Sequence, residues 1–278
     1  MIKINEKLTI LHDKNGSFID LSDSLLDFTR REAEIEYNQL EDKVYIGFYK
    51  PINIIFAEMK TVNANSSIMD LKYYNGASFV AVNNFYDDTE GFSRSGFIRF
   101  DRDIEDQEQN EINGITQFWY ELNLDVDSSL MEIRGLNIVF SDDQDLKREL
   151  YEIEKFLPSG VQSHILSHVA ARDEIIQELR SNGRFKQSHY NEERKDITAF
   201  DLLDISQVKV ASTYLVLSKI LFSVSDNQDD FYASKSNHYR GLYNKCMKTF
   251  YLSLDTDDDG KTSIGENMAS NSGGLVRR

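Results

Sequence analysis

The sequence predicts an α+β protein: an N-terminal antiparallel β-sandwich, then a C-terminal four-helix bundle-like domain with an extended C-terminal arm. Three observations predict it. Up to about residue 142 the apolar residues fall in short β-branched and aromatic runs bounded by turn residues. Beyond that point they recur at three- and four-residue spacing over long stretches. The charge changes at the same place: residues 1–142 hold 26 acidic and 13 basic side chains, 143–253 hold 16 and 15, and 254–278 hold 5 and 3. The domains are therefore drawn at 1–142, 143–253 and 254–278, with the boundary near Ser141-Asp142-Asp143.

In chain order, Val44–Tyr49 and Ile52–Ala57 read as strands separated by Lys50-Pro51. Ile68–Tyr74 and Ser78–Val82 flank Asn75-Gly76, a type I′ hairpin signal because both central residues of that turn need φ > 0. Gly96–Phe100, Phe118–Leu124 and Leu136–Phe140 complete the set, and the acidic Asp101–Glu111 stretch reads as an exposed loop. Helices follow. Asp143–Phe156 carries Leu146, Leu150, Ile153 and Leu157 and is stopped by Pro158-Ser159-Gly160. Val161–Ser181 closes on Asn182-Gly183, and Arg184–Lys195 reads as a loop. Thr198–Val224 has the widest apolar face, and Asp229–Leu252 is amphipathic. The tail from Asn267 to Arg278 is rich in Ser, Asn and Gly, has no core pattern, and is expected to be flexible.

Composition excludes several functions. The chain has 278 residues, a net charge of −16 and a single cysteine, Cys246. An acidic surface does not grip phosphates or anionic lipid broadly, and one cysteine gives neither a disulfide framework nor a zinc ribbon. The apolar run near Val208–Val224 is interrupted by Lys209, Ser212, Ser218 and Lys219, so no membrane span is expected. The start lacks a signal-peptide pattern, and a soluble protein made in a reducing cytoplasm is expected.

The sharpest local motif runs from Asp255 to Glu266. It places oxygens at Asp255, Asp257, Asp259 and Ser263, glycine at Gly260 and a glutamate at Glu266, the spacing of an EF-hand calcium loop. Calcium is therefore a candidate ion, with a solvated acidic loop at a helix end as the competing reading; no other cofactor is expected. His164 and His168, four apart on a helix, share a face as a metal pair would, but no third ligand accompanies them. Asp87-Asp88 and Asp142-Asp143 are paired carboxylates of the kind used in acid–base work, and equally of the kind found in turns. Cys246 lies among apolar neighbours and reads as a buried thiol. With no phosphate loop, nucleophile elbow or Cys-x-x-Cys, an enzyme is not expected.

The helical half resembles head–tail connector proteins of tailed bacteriophages, the adaptor, head-completion and neck family. The residues that carry the resemblance are Ala170–Gly183, Ala199–Asp204, Ala211–Leu217, Lys235–Arg240, the Asp-rich turn, and the terminal Gly274-Leu275-Val276-Arg277-Arg278. The resemblance implies a structural virion protein, assembled in the host cytoplasm, forming a homo-oligomeric ring that joins the portal to the tail. It implies the portal protein, neighbouring copies and tail or neck proteins as partners, with DNA passing without sequence-specific contact. Leu275, Val276, Arg277 and Arg278 at the tip of the arm, with Arg172 and Arg180 on the helices, are the candidate partner-binding residues. A different class of function is a ligand- or carbohydrate-binding sandwich on a phage structural protein, with Trp119, Tyr73, Tyr74 and Tyr86 as stacking rings.

Overall fold

A computed structural model describes residues 7–28, 32–38, 42–101, 106–181, 197–202, 204–226, 230–249, 251–254 and 267–269. The chain divides into two compact units, 1–138 and 139–278. The first is built of strands and one short helix. In order these are β1 (Thr9–Lys14), β2 (Ser17–Asp20), α1 (Ser22–Leu25), β3 (Ala33–Ile35), β4 (Asp42–Phe48), β5 (Ile54–Thr61), β6 (Met69–Tyr74) and β7 (Phe79–Ala81). Then follow β8 (Tyr86–Asp87), β9 (Gly96–Arg99), β10 (Gln109–Ile112), β11 (Ile115–Leu124) and β12 (Met131–Asn137).

Every pairing is antiparallel. One sheet has the order β2-β1-β4-β11-β6-β7, with β10 beside the first half of β11; the other has the order β3-β12-β5-β9-β8. Ile10, Val44, Leu122 and Leu124 of the first sheet face Ile35, Met131, Ile133 and Leu136 of the second across a narrow apolar void. This is the sandwich that the alternating runs predict. The alternation is plain in β6, where Met69, Leu71 and Tyr73 are buried and Asp70, Lys72 and Tyr74 are not fully so.

The hairpins differ from the sequence reading in an instructive way. Asn75-Gly76 lies in the β6–β7 hairpin, but Tyr74 pairs with Phe79, so the loop has four residues. Only Gly76 takes positive φ, at 88°. Asn75 instead turns its side chain inward and accepts from Ala77 N and Ser78 N, the local bonding that makes asparagine a loop former. The two-residue hairpin turns are Asn15-Gly16 (φ 51° and 83°), joining β1 to β2, and Asn113-Gly114 (φ 51° and 77°), joining β10 to β11. The end of the Asp101–Glu111 stretch is accordingly strand β10, not loop.

The second unit carries α2 (Asp143–Glu149), α3 (Ile165–Ser181), α4 (Ser206–Ser223) and α5 (Phe231–Thr249), with a strand pair β13 (Tyr251–Ser253) and β14 (Asn267–Ala269). Asp142 caps α2: its Oδ1 accepts from Asp145 N, and Asp145 Oδ2 accepts from Asp142 N, a reciprocal capping box. The helix expected over 143–156 ends early. Leu150 turns extended (φ −141°, ψ 91°) and Ile153–Phe156 forms a separate 3₁₀ turn. That break leaves Ile153 fully buried and frees its carbonyl to accept from a side chain.

The third predicted helix likewise begins late. Thr198 caps a 3₁₀ turn at Ala199–Asp201, and α4 starts at Ser206. Helix α4 packs against α2, α3 and α5, which explains its broad apolar face. Helix α5 gives way to β13, which pairs with β14, so the start of the expected flexible tail is a strand. Residues 182–196 and 270–278 lie outside the described residues.

Candidate functional site

A buried polar cluster lies in the second unit, where α2, α3 and α4 meet. Ser141 Oγ is 2.9 Å from His168 Nδ1 and 2.8 Å from Ser212 Oγ. His168 Nε2 is 3.1 Å from Asp143 Oδ1. With Nε2–H donating to the carboxylate, Nδ1 accepts from the Ser141 hydroxyl, which in turn accepts from Ser212. Asp143 also accepts the backbone N–H of His164 at 3.1 Å, and His164 Nε2 donates to the Ile153 carbonyl at 3.3 Å.

Charge and burial shape this cluster. Burial works to raise the Asp143 pKa, but the His168 hydrogen bond and charge and the His164 N–H outweigh it, and the carboxyl titrates below its ordinary value. Burial pushes His164 below its ordinary value, against the pull of Asp143. Asp142 moves the other way, raised by burial and by the neighbouring Asp145 charge. Lys209 of α4 pairs with Asp145 at 2.8 Å and Arg148 pairs with it at 3.2 Å.

The atoms are those of a Ser–His–Asp acyl-transfer triad, but the arrangement does different work. The ring is reversed, with serine on Nδ1 and carboxylate on Nε2. Ser141 is 0% exposed and His168 is 1% exposed, so no substrate carbonyl reaches the hydroxyl. The relay therefore fastens helices together. The two imidazoles point to different partners, His168 to Asp143 and His164 to the Ile153 carbonyl, and no group of three or more His, Cys, Asp or Glu among the described residues is placed to hold an ion. The i, i+4 histidines and Asp143 are legible in the sequence as candidate site residues, whereas Ser141 and Ser212 stand out there only as a boundary residue and as a break in an apolar run. The available signal for Ser212 was a small hydroxyl inside the most apolar helix.

A second cluster lies on the outer face of the seven-stranded sheet. Leu11, Tyr45, Ile112 and Trp119 form a buried group flanked by Phe18, Phe79 and Ile115. Tyr45 on β4 lies 5.7 Å from Phe79 on β7, three strands away, so the sheet curls and fills its own concave side. Trp119 is 0% exposed, its Nε1 donating to Asn110 and Ile115 carbonyls. Next to it, Glu121 accepts from Lys43 Nζ at 2.8 Å, Tyr45 Oη at 3.2 Å and Asn123 Nδ2 at 3.0 Å.

Of the four proposed stacking rings, Trp119 and Tyr73 are buried, Tyr74 is half-buried with its hydroxyl on the Gly76 carbonyl, and Tyr86 is exposed. The sealed indole presents no face to a sugar; it sits in the core, the commoner place for an aromatic residue in a strand. Asp87 and Asp88 do not act as a pair: Asp87 accepts from Thr89 N and Gly91 N, while Asp88 pairs with Arg99 at 2.5 Å. Arg172 pairs with Asp173 at 2.7 Å and is largely covered, and Arg180 donates to the Ile197 carbonyl at 2.6 Å. Cys246 is half-buried, and burial pushes its thiol up. Asp255, Asp257, Asp259, Ser263 and Glu266, and Leu275 to Arg278, lie outside the described residues; the acidic loop is bracketed by β13 and β14, where the EF-hand frame expects helices on both sides.

No protein-family model matches the chain, and no curated protein matches it. Among solved structures it is similar to a family 89 glycoside hydrolase from Clostridium perfringens in complex with a 2-acetamido-1,2-dideoxynojirimycin ligand. The identity is 11% and the TM-score 0.30, over 65% of this chain and 20% of that one. A doubly substituted form of that enzyme, bound to GlcNAc-alpha-1,4-galactose, gives 12% and 0.27 over 63% and 19%. The chain thus spans about a fifth of the length of each. Likeness at this level carries neither activity nor ligand to this chain.

Proposed function

We propose that the chain is a non-enzymatic structural subunit of a tailed-phage neck, forming a ring that joins portal to tail and lets DNA pass. The observation that carries this reading is the clamp made by Glu174. Its carboxylate on α3 lies 2.6 Å from Lys219 on α4 and 2.7 Å from Arg240 on α5. Tyr243 of α5 also donates to Glu178, one turn along α3, at 2.5 Å. Three helices are thereby tied into one body, which is what lateral packing in a ring demands. The described parts of the segments that carry the connector resemblance fall on α3, on the 3₁₀ turn before α4, on α4 and on α5.

The inward placement of Ser141, His168 and Asp143 supports the same reading, because the described helical unit spends its reactive groups on cohesion. The arm residues Leu275, Val276, Arg277 and Arg278 are proposed to contact the portal or a neighbouring copy, where arginines suit carboxylates. The test is imaging and native mass measurement of the chain mixed with purified portal. A stoichiometric ring lost on removal of residues 254–278 is expected. A chain that remains monomeric and never joins the portal overturns the proposal.

A further inference from the structure

One end of the sandwich is organised around a single side chain. Asn63, 2% exposed, follows β5. Its Oδ1 accepts from Asn65 N at 3.1 Å and Ser129 N at 3.0 Å. Its Nδ2 donates to Ser67 Oγ at 2.9 Å and to the Gly91 carbonyl at 3.0 Å, and its backbone N–H donates to the Phe92 carbonyl at 2.9 Å. Three loops, 62–68, 88–95 and 125–130, are thus joined to one hub. The middle loop holds Glu90, Gly91 and Phe92 in consecutive left-handed conformations (φ 51°, 65° and 66°). Two of these are not glycine, so the turn stores strain that the hub sustains.

This rigid platform presents what a soluble surface ordinarily hides. Ile68 is 72% exposed and Leu130 54%, and Val62 and Val126 are exposed beside them. Each lies at or next to an inter-loop hydrogen bond. Ile68 N donates to Asp125 Oδ1 at 2.6 Å, Ala64 N to Ser129 Oγ at 2.7 Å, and Asn65 Nδ2 to the Asp127 carbonyl at 2.8 Å. The four aliphatic side chains are carried on two loops that are hydrogen-bonded to each other, which concentrates apolar exposure at this end of the sandwich. Residues 61–68 and 125–131 contain Asp125 and Asp127 and no lysine or arginine, and the nearby cations are already paired, Arg94 with Glu90 at 3.0 Å and Lys60 with Glu132 at 3.2 Å. They belong to the half of the chain with 26 acidic against 13 basic side chains.

We propose that this loop end is a protein-docking surface for a basic partner, one that brings exposed apolar side chains inside a rim of lysine and arginine. The aliphatic centre supplies the desolvated contact, and the acidic rim supplies orientation and selects against acidic surfaces, further copies of this sandwich included. Holding the loops in one arrangement before contact removes an ordering cost that flexible loops pay on binding. The inference stands apart from the neck assignment, since it rests on the sandwich alone.

The test uses the full chain and a fluorescein-labelled synthetic amphipathic peptide with leucine and lysine at helical spacing. A lysine-only peptide and a leucine–glutamate peptide serve as comparisons. Saturable binding of the leucine–lysine peptide that weakens with salt is expected. Ile68→Ser combined with Leu130→Ser should weaken it at least tenfold while the melting temperature and Trp119 emission stay put. Asp127→Asn should weaken it severalfold. Equal binding by the double variant, equal binding of the lysine-only peptide, or no binding overturns the proposal. So does either of two other occupants: self-association in sedimentation, or adsorption to phosphatidylcholine vesicles, abolished by the same two substitutions.

Discussion

His168 Nε2 lies 3.1 Å from Asp143 Oδ1 while the same ring's Nδ1 lies 2.9 Å from Ser141 Oγ. One buried imidazole thus joins the start of α2 to the first turn of α3 and, through Ser212, to α4. Removing it leaves a hydroxyl and a carboxylate facing a cavity, and unmet buried groups cost more than the bonds they lose. His168→Ala is expected to destabilise the helical unit by about 3 kcal/mol, and Ser141→Ala by about 1 kcal/mol. Urea denaturation followed by far-ultraviolet circular dichroism checks both. A wild-type midpoint for His168→Ala would show that the relay does not hold the helices.

Acid should loosen the same unit in two stages. His164 is held below its ordinary value of 6.5, chiefly by burial, so the unfolded chain takes up its proton first. Its contribution is whole above about pH 6.5 and declines as the pH falls from there toward the folded value. Asp143 is depressed below 3.8, with burial overcome by its bonds to His168 and His164. Its contribution is present above that value and is lost as the pH falls through the folded one. His12 in the sandwich is lowered too, by burial opposed by Asp42, so that unit shares the first stage. His164→Gln, which keeps a donor for the Ile153 carbonyl, should flatten the first stage in the helical unit alone. Amide hydrogen exchange at pH 7 and pH 5 separates the two units, and an unchanged slope in α3 would count against the assignment.

The gross architecture was readable because it rests on period. Alternation in Met69–Tyr74 is set by one buried face, and the apolar content of α4 by burial on most of its sides. Turns proved harder, because asparagine has two ways of making one. Asn15 and Asn113 adopt positive φ, whereas Asn75 uses its side-chain oxygen instead. The dipeptide Asn-Gly does not say which will win; strand register decides. The relay lay beyond reach for another reason. Ser141 and Ser212 are 71 residues apart and meet only because α4 crosses the start of α2. Trp119 depends on distant contacts in the same way: an aromatic strand residue is available to a ligand only if its sheet face stays open, and here the indole is sealed among Leu11, Tyr45 and Ile112.

The hub at Asn63 should be hard to replace. Its amide makes bonds to Asn65, Ser67, Gly91 and Ser129, and its site is buried. Asn63→Ala leaves the Gly91 carbonyl and the Ser129 N–H without that partner and is expected to cost about 2–4 kcal/mol. The loss should be local at first. Hydrogen exchange ought to quicken across 62–68, 88–95 and 125–130 before it does in β4 or β11. Uniform acceleration over the whole sandwich would mean that the loops are not organised separately from the sheets.

Gly47 makes the sharpest prediction for the sandwich. It sits on β4 opposite Trp119 on β11, and neither its own strand nor a turn calls for glycine there. What calls for it is close approach. A Cβ at this position would lie 2.5 Å from Trp119 Cζ3 and would run into Gln117 Oε1, separations that ordinary van der Waals contact does not allow. Because the indole is clamped by Asn110 and Ile115 carbonyls, it cannot swing aside without giving up both bonds. Gly47→Ala is therefore expected to destabilise the sandwich by about 1–3 kcal/mol, the usual cost of overpacking. Trp119 is the one tryptophan in the chain, so its emission reads the site without interference. The wild-type spectrum should be blue-shifted, as for a dry indole, and the variant's should move to the red well below the unfolding midpoint. If the variant keeps both the emission maximum and the midpoint of the parent, the indole does not rest on Gly47 and the packing of the concave face has been misassigned.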